Sequence, residues 1–127
     1  MPETVDEWIQ KADGDFDTAR REYRAKKRVN YDAVCFHTQQ CIEKLMKAVL
    51  LSRNNDPPRT HNLLYLDRLL RGVCPTWESA HDDLEFLTRT GVAFRYPGEW
   101  ATRTHAERAM AICGRLREGL LIVLQNG

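Results

Sequence analysis

Residues 36–48 read Phe36-His37-Thr38-Gln39-Gln40-Cys41-Ile42-Glu43-Lys44-Leu45-Met46-Lys47-Ala48, and this segment decides the fold. It contains neither glycine nor proline and is rich in good helix formers, which favours an α-helix. Apolar residues at helical spacing extend from it in both directions and cover more than half of the circumference. A helix that is apolar over so wide an arc is buried on most sides. We therefore expect the central helix of an all-α protein from about Tyr31 to Leu51, capped near Asn30.

One helix is predicted before this segment and one directly after it. Apolar residues at steps of three or four mark one helical face over residues 4–23. Thr4 and Glu7 have the spacing of a capping box, which satisfies free backbone N–H groups at a helix start. After a polar loop, Thr60 is the predicted N-cap of a shorter, leucine-rich helix that ends at Gly72.

The last third of the chain predicts two more helices separated by a loop. The first is expected over residues 78–90 and stops at Gly91, and the stretch 91–102 contains Gly and Pro residues typical of an ordered loop. Thr104 and Glu107 repeat the capping-box spacing before the final helix. No β-like alternation is present. The sequence thus predicts an antiparallel up-and-down bundle of four to five helices that forms one domain over residues 1–127.

Composition limits the classes of function. Apolar residues make up 43% and charged residues 29%, as in an ordinary globular protein. Nineteen basic and eighteen acidic residues give a net charge of +1, unlike the large basic excess of a general nucleic-acid coat protein. The N-terminus is acidic and does not resemble a signal peptide, and no apolar run is long enough to cross a bilayer. We expect a cytoplasmic protein without membrane contact, in which Cys35, Cys41, Cys74 and Cys113 are small core residues.

A polar stripe lies beside the apolar face of the central helix. Gln40, Glu43, Lys44 and Lys47 are spaced at i, i+3, i+4 and i+7, which places four polar groups on one side. Such a stripe is either a solvated face with a weak Glu43–Lys47 pair or the lining of a polar cleft.

Arg95-Tyr96-Pro97 occupies the loop before the last helix. A cation, an aromatic ring and a fixed φ can together hold a phosphate and stack a base. The alternative is a structural corner in which Tyr96 and Trp100 pack on the bundle while Arg95 bonds Glu43. His61 either contributes to the polar cleft or lies exposed at a helix start.

The pattern Phe36-x-x-Gln39-Gln40-x-x-Glu43-Lys44-x-x-Lys47-Ala48, followed by Thr60-His61 and Arg95-Tyr96-Pro97, resembles the HEPN domain family of prokaryotes. The resemblance extends from the region of Trp8 through the final helix. It implies a helical bundle that forms a homodimer and pairs with a minimal nucleotidyltransferase in a toxin–antitoxin-like system. On this interpretation the chain is a nucleotide-binding regulatory module, and its ligand cleft consists of Gln40, Glu43, Lys44, Lys47, His61, Arg95 and Tyr96.

Two alternatives remain. Many members of this family are metal-independent ribonucleases in which an arginine precedes a histidine by four to six residues, the histidine moving a proton and the arginine stabilising phosphorane charge. The candidate catalytic pair here is Arg95 and His105, with residues 96–104 between them, so the spacing departs from that motif. The second alternative is a structural dimeric adaptor in which the polar stripe is a buried dimer seam.

Other chemistries lack their residues. The sequence around Asp13 has aspartates at EF-hand spacing, but Thr18 stands where that loop needs glycine and Arg24 where it needs glutamate. Motifs for zinc, ATP or serine hydrolysis are missing from the sequence, so we expect no metal and no cofactor. The basic cluster over residues 20–28 either contacts RNA phosphates or complements a helix dipole.

Overall fold

A computed structural model describes residues 3–126; residues 1, 2 and 127 of the predicted single domain lie outside this part. The described residues form five helices and no strand, which confirms the all-α class. The helices are α1 (Val5–Tyr23), α2 (Tyr31–Ser52), α3 (Leu63–Val73), α4 (His81–Ala93) and α5 (Arg103–Gln125). Within residues 3–126, none of these helices combines the length and apolar character that crossing a membrane requires.

α2 is the centre of the bundle and contacts each of the other helices. α1 runs antiparallel to it. The connection 53–62 then returns along α2, because the Gln39 side-chain amide donates to the His61 carbonyl 3.2 Å away. α3 consequently begins beside the middle of α2 and runs in the same direction, and α4 and α5 follow in alternating directions. This return places the start of α3 next to the polar stripe.

The core is one continuous cluster with side chains from all five helices. α2 contributes most of it, including Ile42, Leu45 and Met46, none of which is exposed. Thirteen of its residues are buried, and they include the polar Thr38, Gln39, Glu43 and Lys47. The prediction of a buried central helix is therefore confirmed, with polar groups inside it that need partners from within the chain.

The first two helix starts agree with the sequence, and the third differs by two residues. The Thr4 hydroxyl accepts from the Glu7 N–H at 3.1 Å, and Asn30 caps α2. The cap of α3 is Asn62 instead of Thr60: its side-chain oxygen accepts from two backbone N–H groups of the first turn. Thr60 instead accepts from the Asn62 N–H at 3.1 Å and so supports the cap. Thr60 and Asn62 are both residues that cap helices well, and the prediction chose the threonine although the asparagine two residues later makes the cap hydrogen bonds.

The predicted stop at Gly91 is wrong, since α4 continues to Ala93. A Cβ atom at position 91 would lie 2.7 Å from both Cβ and Cγ of Gln39, so only glycine allows α4 to approach α2 this closely. The capping box of α5 also differs from the prediction. It uses Thr102 and His105 in place of Thr104 and Glu107, because the His105 ring nitrogen replaces a carboxylate as the acceptor for the cap N–H.

Candidate functional site

The polar stripe of α2 forms a buried hydrogen-bond network centred on Glu43, which is 3% exposed. Its Oε1 accepts from Gln39 Nε2 at 3.0 Å and lies 2.8 Å from His61 Nδ1. Its Oε2 accepts from Lys47 Nζ at 3.1 Å. Gln40 extends the network by donating to the Gln39 side-chain oxygen at 2.8 Å. Both oxygens of the carboxylate are therefore bonded within the chain, and only the exposed His61 ring connects them to solvent.

Lys44 belongs to a second network that joins α2 to α1. Asp15 is buried on α1 and accepts from Lys44 Nζ at 2.6 Å through one oxygen. Its other oxygen lies 2.7 Å from Nδ1 of His37. Lys47, on the same side of α2, has its ammonium 5.6 Å from the Trp8 ring centroid. Most of the stripe thus faces α1 and the start of α3. Lys44 is the more open part, since its side chain is 22% exposed and lines a surface cavity of about 390 Å³ together with Trp8.

An open cavity of about 260 Å³ lies beyond the N-terminal end of the polar stripe, where the start of α2 meets the end of α4. Phe36 and His37 form one wall, and Phe94, Arg95 and Trp100 form the other. The Arg95 guanidinium carbon lies 5.0 Å from the Phe36 ring centroid. Among residues 3–126, no acceptor receives a hydrogen bond from this guanidinium. An arginine held by an aromatic face with its donors free is suited to bind an anion.

A second cavity of about 340 Å³ adjoins the first and shares Asn30, Asp32 and Trp100 with it. Its far side includes Arg28, the last residue of the basic cluster. Trp100 is 75% exposed although it lies between two cavities. The two adjoining cavities together form a groove in which Trp100 borders both cavities, Arg95 lines the first and Arg28 lines the second.

The structure does not bring all predicted site residues together. Arg95 packs on Phe36, which is seven residues before Glu43, or roughly 10 Å along a helix. In the described part of the chain, Arg95 and Glu43 make no hydrogen bond or ion pair. Tyr96 is 75% exposed, as is Trp100, so neither packs on the bundle as a structural corner requires. Among the predicted cleft residues, Arg95 lines the groove, Tyr96 lines neither of its two cavities, and the others belong to the hydrogen-bond networks of α2.

His105 has a clear local role at the start of α5. Its Nδ1 lies 3.0 Å from the Thr102 backbone nitrogen and accepts the N–H of that residue. The ring packs against Phe94 and Phe86, with centroid distances of 5.1 and 6.4 Å. Because Nδ1 accepts a hydrogen bond, the neutral ring carries its proton on Nε2, which is then a donor and not a general base.

Sequence reasoning missed Asp32, Phe36 and His37 as members of the groove. They lie one turn apart or adjacent on the first two turns of α2, on the side that meets the loop 94–102. Phe36 is four residues before Gln40 and His37 is seven before Lys44, a helical spacing that extends the same face toward the helix start. Which loop covers that face cannot be obtained from periodicity.

The cysteines offer no nucleophile to this site. All four are buried and free. Burial, together with the nearby Asp32 carboxylate, raises the pKa of Cys35 to about 11, although a hydrogen bond with Thr90 opposes the rise. A neighbouring Cys113 thiol and burial raise the pKa of Cys41 strongly. Thiols held in the protonated form are poor nucleophiles.

The chain is a small helical bundle with a buried polar network on its central helix. Comparison with protein families and solved structures identifies the class of protein to which such a bundle belongs. The HEPN domain model matches residues 5–122, so the chain belongs to the HEPN domain family. TT1696 from Thermus thermophilus is similar in structure, with a TM-score of 0.76 and 19% identity over 94% of this chain and 97% of that one. ST0689, described as an archaeal HEPN homologue, has a TM-score of 0.68 and 23% identity over 98% of each chain. These two similarities establish the fold. No curated protein matches the sequence.

Proposed function

We propose that this HEPN domain is a nucleotide-binding regulatory module that acts as a homodimer with a nucleotidyltransferase partner. The observation that carries the proposal is the free guanidinium of Arg95, stacked on Phe36 in a cavity that the exposed Trp100 ring also lines. Phosphate oxygens bind at Arg95, and the base stacks on Trp100.

The size and composition of the groove support this assignment. Each of the two adjoining cavities is near the lower end of the range of about 300–1,000 Å³ that is usual for small-molecule sites. They contain aromatic surface for a base and cations for phosphate, without a deep apolar chamber for a lipid. The buried networks at Glu43 and Asp15 stabilise the walls and do not contact the ligand.

Calorimetric titration with nucleoside triphosphates tests the binding site. Replacing Arg95 with glutamine should weaken binding about 10- to 150-fold, because charge-assisted hydrogen bonds contribute about 1.5–3 kcal/mol. Arg89→Gln is the matched control: Arg89 also lies over an aromatic ring, at 5.6 Å from Phe86, but its guanidinium is bonded to Glu85. Absence of nucleotide binding by the wild-type protein at millimolar concentration contradicts the proposal.

The dimer is supported by the exposed aromatic loop. Tyr96 and Trp100 lie on the same loop and are each 75% exposed, and neighbouring exposed aromatic rings are typical of protein–protein contact surfaces. We propose that Tyr96 contacts a second copy of the chain. Light scattering should give twice the protomer mass for the wild-type protein and for Tyr65→Ser, a control at a ring that is 41% exposed on α3. Tyr96→Ser should shift the equilibrium toward monomer, and an unchanged mass for this variant contradicts the assignment.

The pairing with a nucleotidyltransferase is tested separately. A tagged protein expressed together with a nucleotidyltransferase encoded beside its gene should co-purify with it. Failure to co-purify, together with the absence of such a neighbouring gene, contradicts this part of the proposal and leaves the binding site in place.

A further inference from the structure

Asp32 lies where the two cavities meet and has one oxygen to spare. Its Oδ1 accepts from the Ala101 backbone N–H at 2.6 Å, which ties the loop 94–102 to the start of α2. Its Oδ2 accepts no hydrogen bond within residues 3–126, although the residue lines both cavities and is only partly exposed. A half-used carboxylate in the wall of a groove is a hydrogen-bond acceptor available to a ligand.

Asn30 provides the complementary donor on the same wall. Its side-chain oxygen caps α2 by accepting from the Ala33 N–H at 3.0 Å. This bond directs the amide NH₂ away from the helix, and in the described part of the chain that group donates to no acceptor. Asn30 and Asp32 line both cavities together with Trp100. The groove therefore has one negatively charged acceptor and one neutral donor next to an exposed aromatic plane.

We infer that the groove selects guanine over adenine nucleotides, with Asp32 as the specificity-determining residue; this inference rests on the proposed nucleotide site. The Watson–Crick edge of guanine carries two adjacent donors, N1–H and the 2-amino group, beside the O6 acceptor. The free Oδ2 of Asp32 accepts from the 2-amino group, Oδ1 accepts from N1–H with the lone pair that the Ala101 bond leaves, and the Asn30 amide donates to O6. Adenine presents an acceptor at N1 and a donor at its 6-amino group. In the same orientation its N1 lone pair faces the Asp32 carboxylate and its 6-amino group faces the Asn30 amide, so neither hydrogen bond forms.

The position of Asp32 in the first turn of α2 also has two structural explanations that involve no ligand. A negative charge there complements the helix dipole and the Ala101 bond fixes the loop. Either reason explains a carboxylate with one bonded oxygen. Neither requires that the remaining oxygen border a groove that also contains a free amide, a stacking ring and two cations.

Asp32→Asn distinguishes base selection from these structural roles. The Ala101 N–H still needs an acceptor, so the asparagine oxygen takes the place of Oδ1 and its NH₂ replaces Oδ2 in the groove. A donor at that position is repelled by the guanine 2-amino group. It pairs instead with xanthine, which has a carbonyl oxygen at C2. The substitution should exchange the base preference without releasing the loop.

The experiment titrates guanosine, adenosine and xanthosine triphosphates against wild-type protein, Asp32→Asn and Asp17→Asn. Asp17 is an exposed control on α1, paired only with Arg20. The wild-type protein and Asp17→Asn should bind the guanosine nucleotide about tenfold or more tightly than the adenosine nucleotide. Asp32→Asn should lose this preference and favour the xanthosine nucleotide, with a thermal midpoint lowered by only a few degrees, because the helix dipole loses a favourable charge.

The outcomes separate the two proposals. Equal affinity of the wild-type protein for guanosine and adenosine nucleotides overturns the guanine inference and leaves nucleotide binding standing. A guanosine preference that survives Asp32→Asn with the fold intact shows that another group reads the base and overturns the role of Asp32. If no nucleotide binds to any of the proteins, the proposed function itself fails.

Discussion

The buried pair of Glu43 and Lys47 makes a strong prediction about stability. Their side chains are 4% and 8% exposed, and the Lys47 ammonium has the Glu43 carboxylate as its acceptor at 3.1 Å. Removing one charge from such a pair leaves the other without compensation and costs about 3–5 kcal/mol. We expect Glu43→Gln to lower the free energy of unfolding by about 3 kcal/mol, the lower end of this range, because an amide oxygen still accepts from Lys47.

The loss of stability should largely disappear when both charges are removed. Replacing a whole buried pair with neutral groups of similar volume is often close to neutral. The double variant Glu43→Gln with Lys47→Met should therefore lie within about 1 kcal/mol of the wild-type protein. A double-mutant cycle should then give a coupling energy of at least about 2 kcal/mol.

Urea denaturation followed by circular dichroism at pH 7 measures these differences. Glu85→Gln is the control, since Glu85 forms an i,i+4 pair with Arg89 in which both side chains are about half exposed. Such a pair contributes about 0.3–0.5 kcal/mol. The reasoning is refuted if Glu43→Gln costs no more than Glu85→Gln, or if the double variant loses the sum of the two single losses.

Three further predictions concern packing, thiol reactivity and catalysis. Gly91→Ala should destabilise the protein by about 1–3 kcal/mol, because the new Cβ would lie 2.7 Å from Gln39 atoms. Gly114→Ala meets nothing within 4 Å and should stabilise α5 by about 0.5–1 kcal/mol, so urea denaturation that shows both variants destabilised, or both stabilised, contradicts this prediction. The pKa of Cys35 is raised to about 11 by burial, so its thiol should resist a disulfide reagent at pH 8 and react once urea unfolds the chain; fast labelling of the native protein contradicts this. Purified protein in excess should leave RNA uncleaved, because the Nδ1 of His105 is occupied by a backbone N–H; cleavage that survives a chelator and is lost in His105→Ala contradicts this.

The fold was predictable because in the first two helices the local start signals and the packing requirements agree. α1 and α2 begin at the predicted caps, Thr4 and Asn30, since each has both a cap side chain and an apolar face that starts directly after it. Gly91 misled because glycine has two uses in helical proteins. It ends helices through backbone freedom, and it also lets helices approach closely when no side chain fits between them. Sequence alone does not distinguish these uses, because the second depends on Gln39 in another helix.

The candidate site was only partly predictable for a similar reason. Periodicity placed Gln40, Glu43, Lys44 and Lys47 on one face correctly, but the pattern does not say what covers that face. The covering groups are Asp15 from α1 and residue 61 from the connection, and both are supplied by the tertiary fold. Arg95 was recognised as a candidate from its chemistry, whereas its neighbour Phe36 depends on how the loop 94–102 folds back.

The polar stripe of α2 and the groove are linked by hydrogen bonds and packing, although their roles differ. Asp15 bonds His37 as well as Lys44, and His37 is part of the cavity wall, so the position of α1 is transmitted to the groove through one carboxylate. Gln39 fits against Gly91 at the end of α4, four residues before Arg95 in the chain. The buried amides and charges therefore fix two walls of the groove without entering it. Substitutions within the stripe should act mainly on stability. Substitutions at Arg95 should act mainly on affinity, because within residues 3–126 its guanidinium makes no hydrogen bond and its contact with the Phe36 ring contributes only about 0.5–1 kcal/mol.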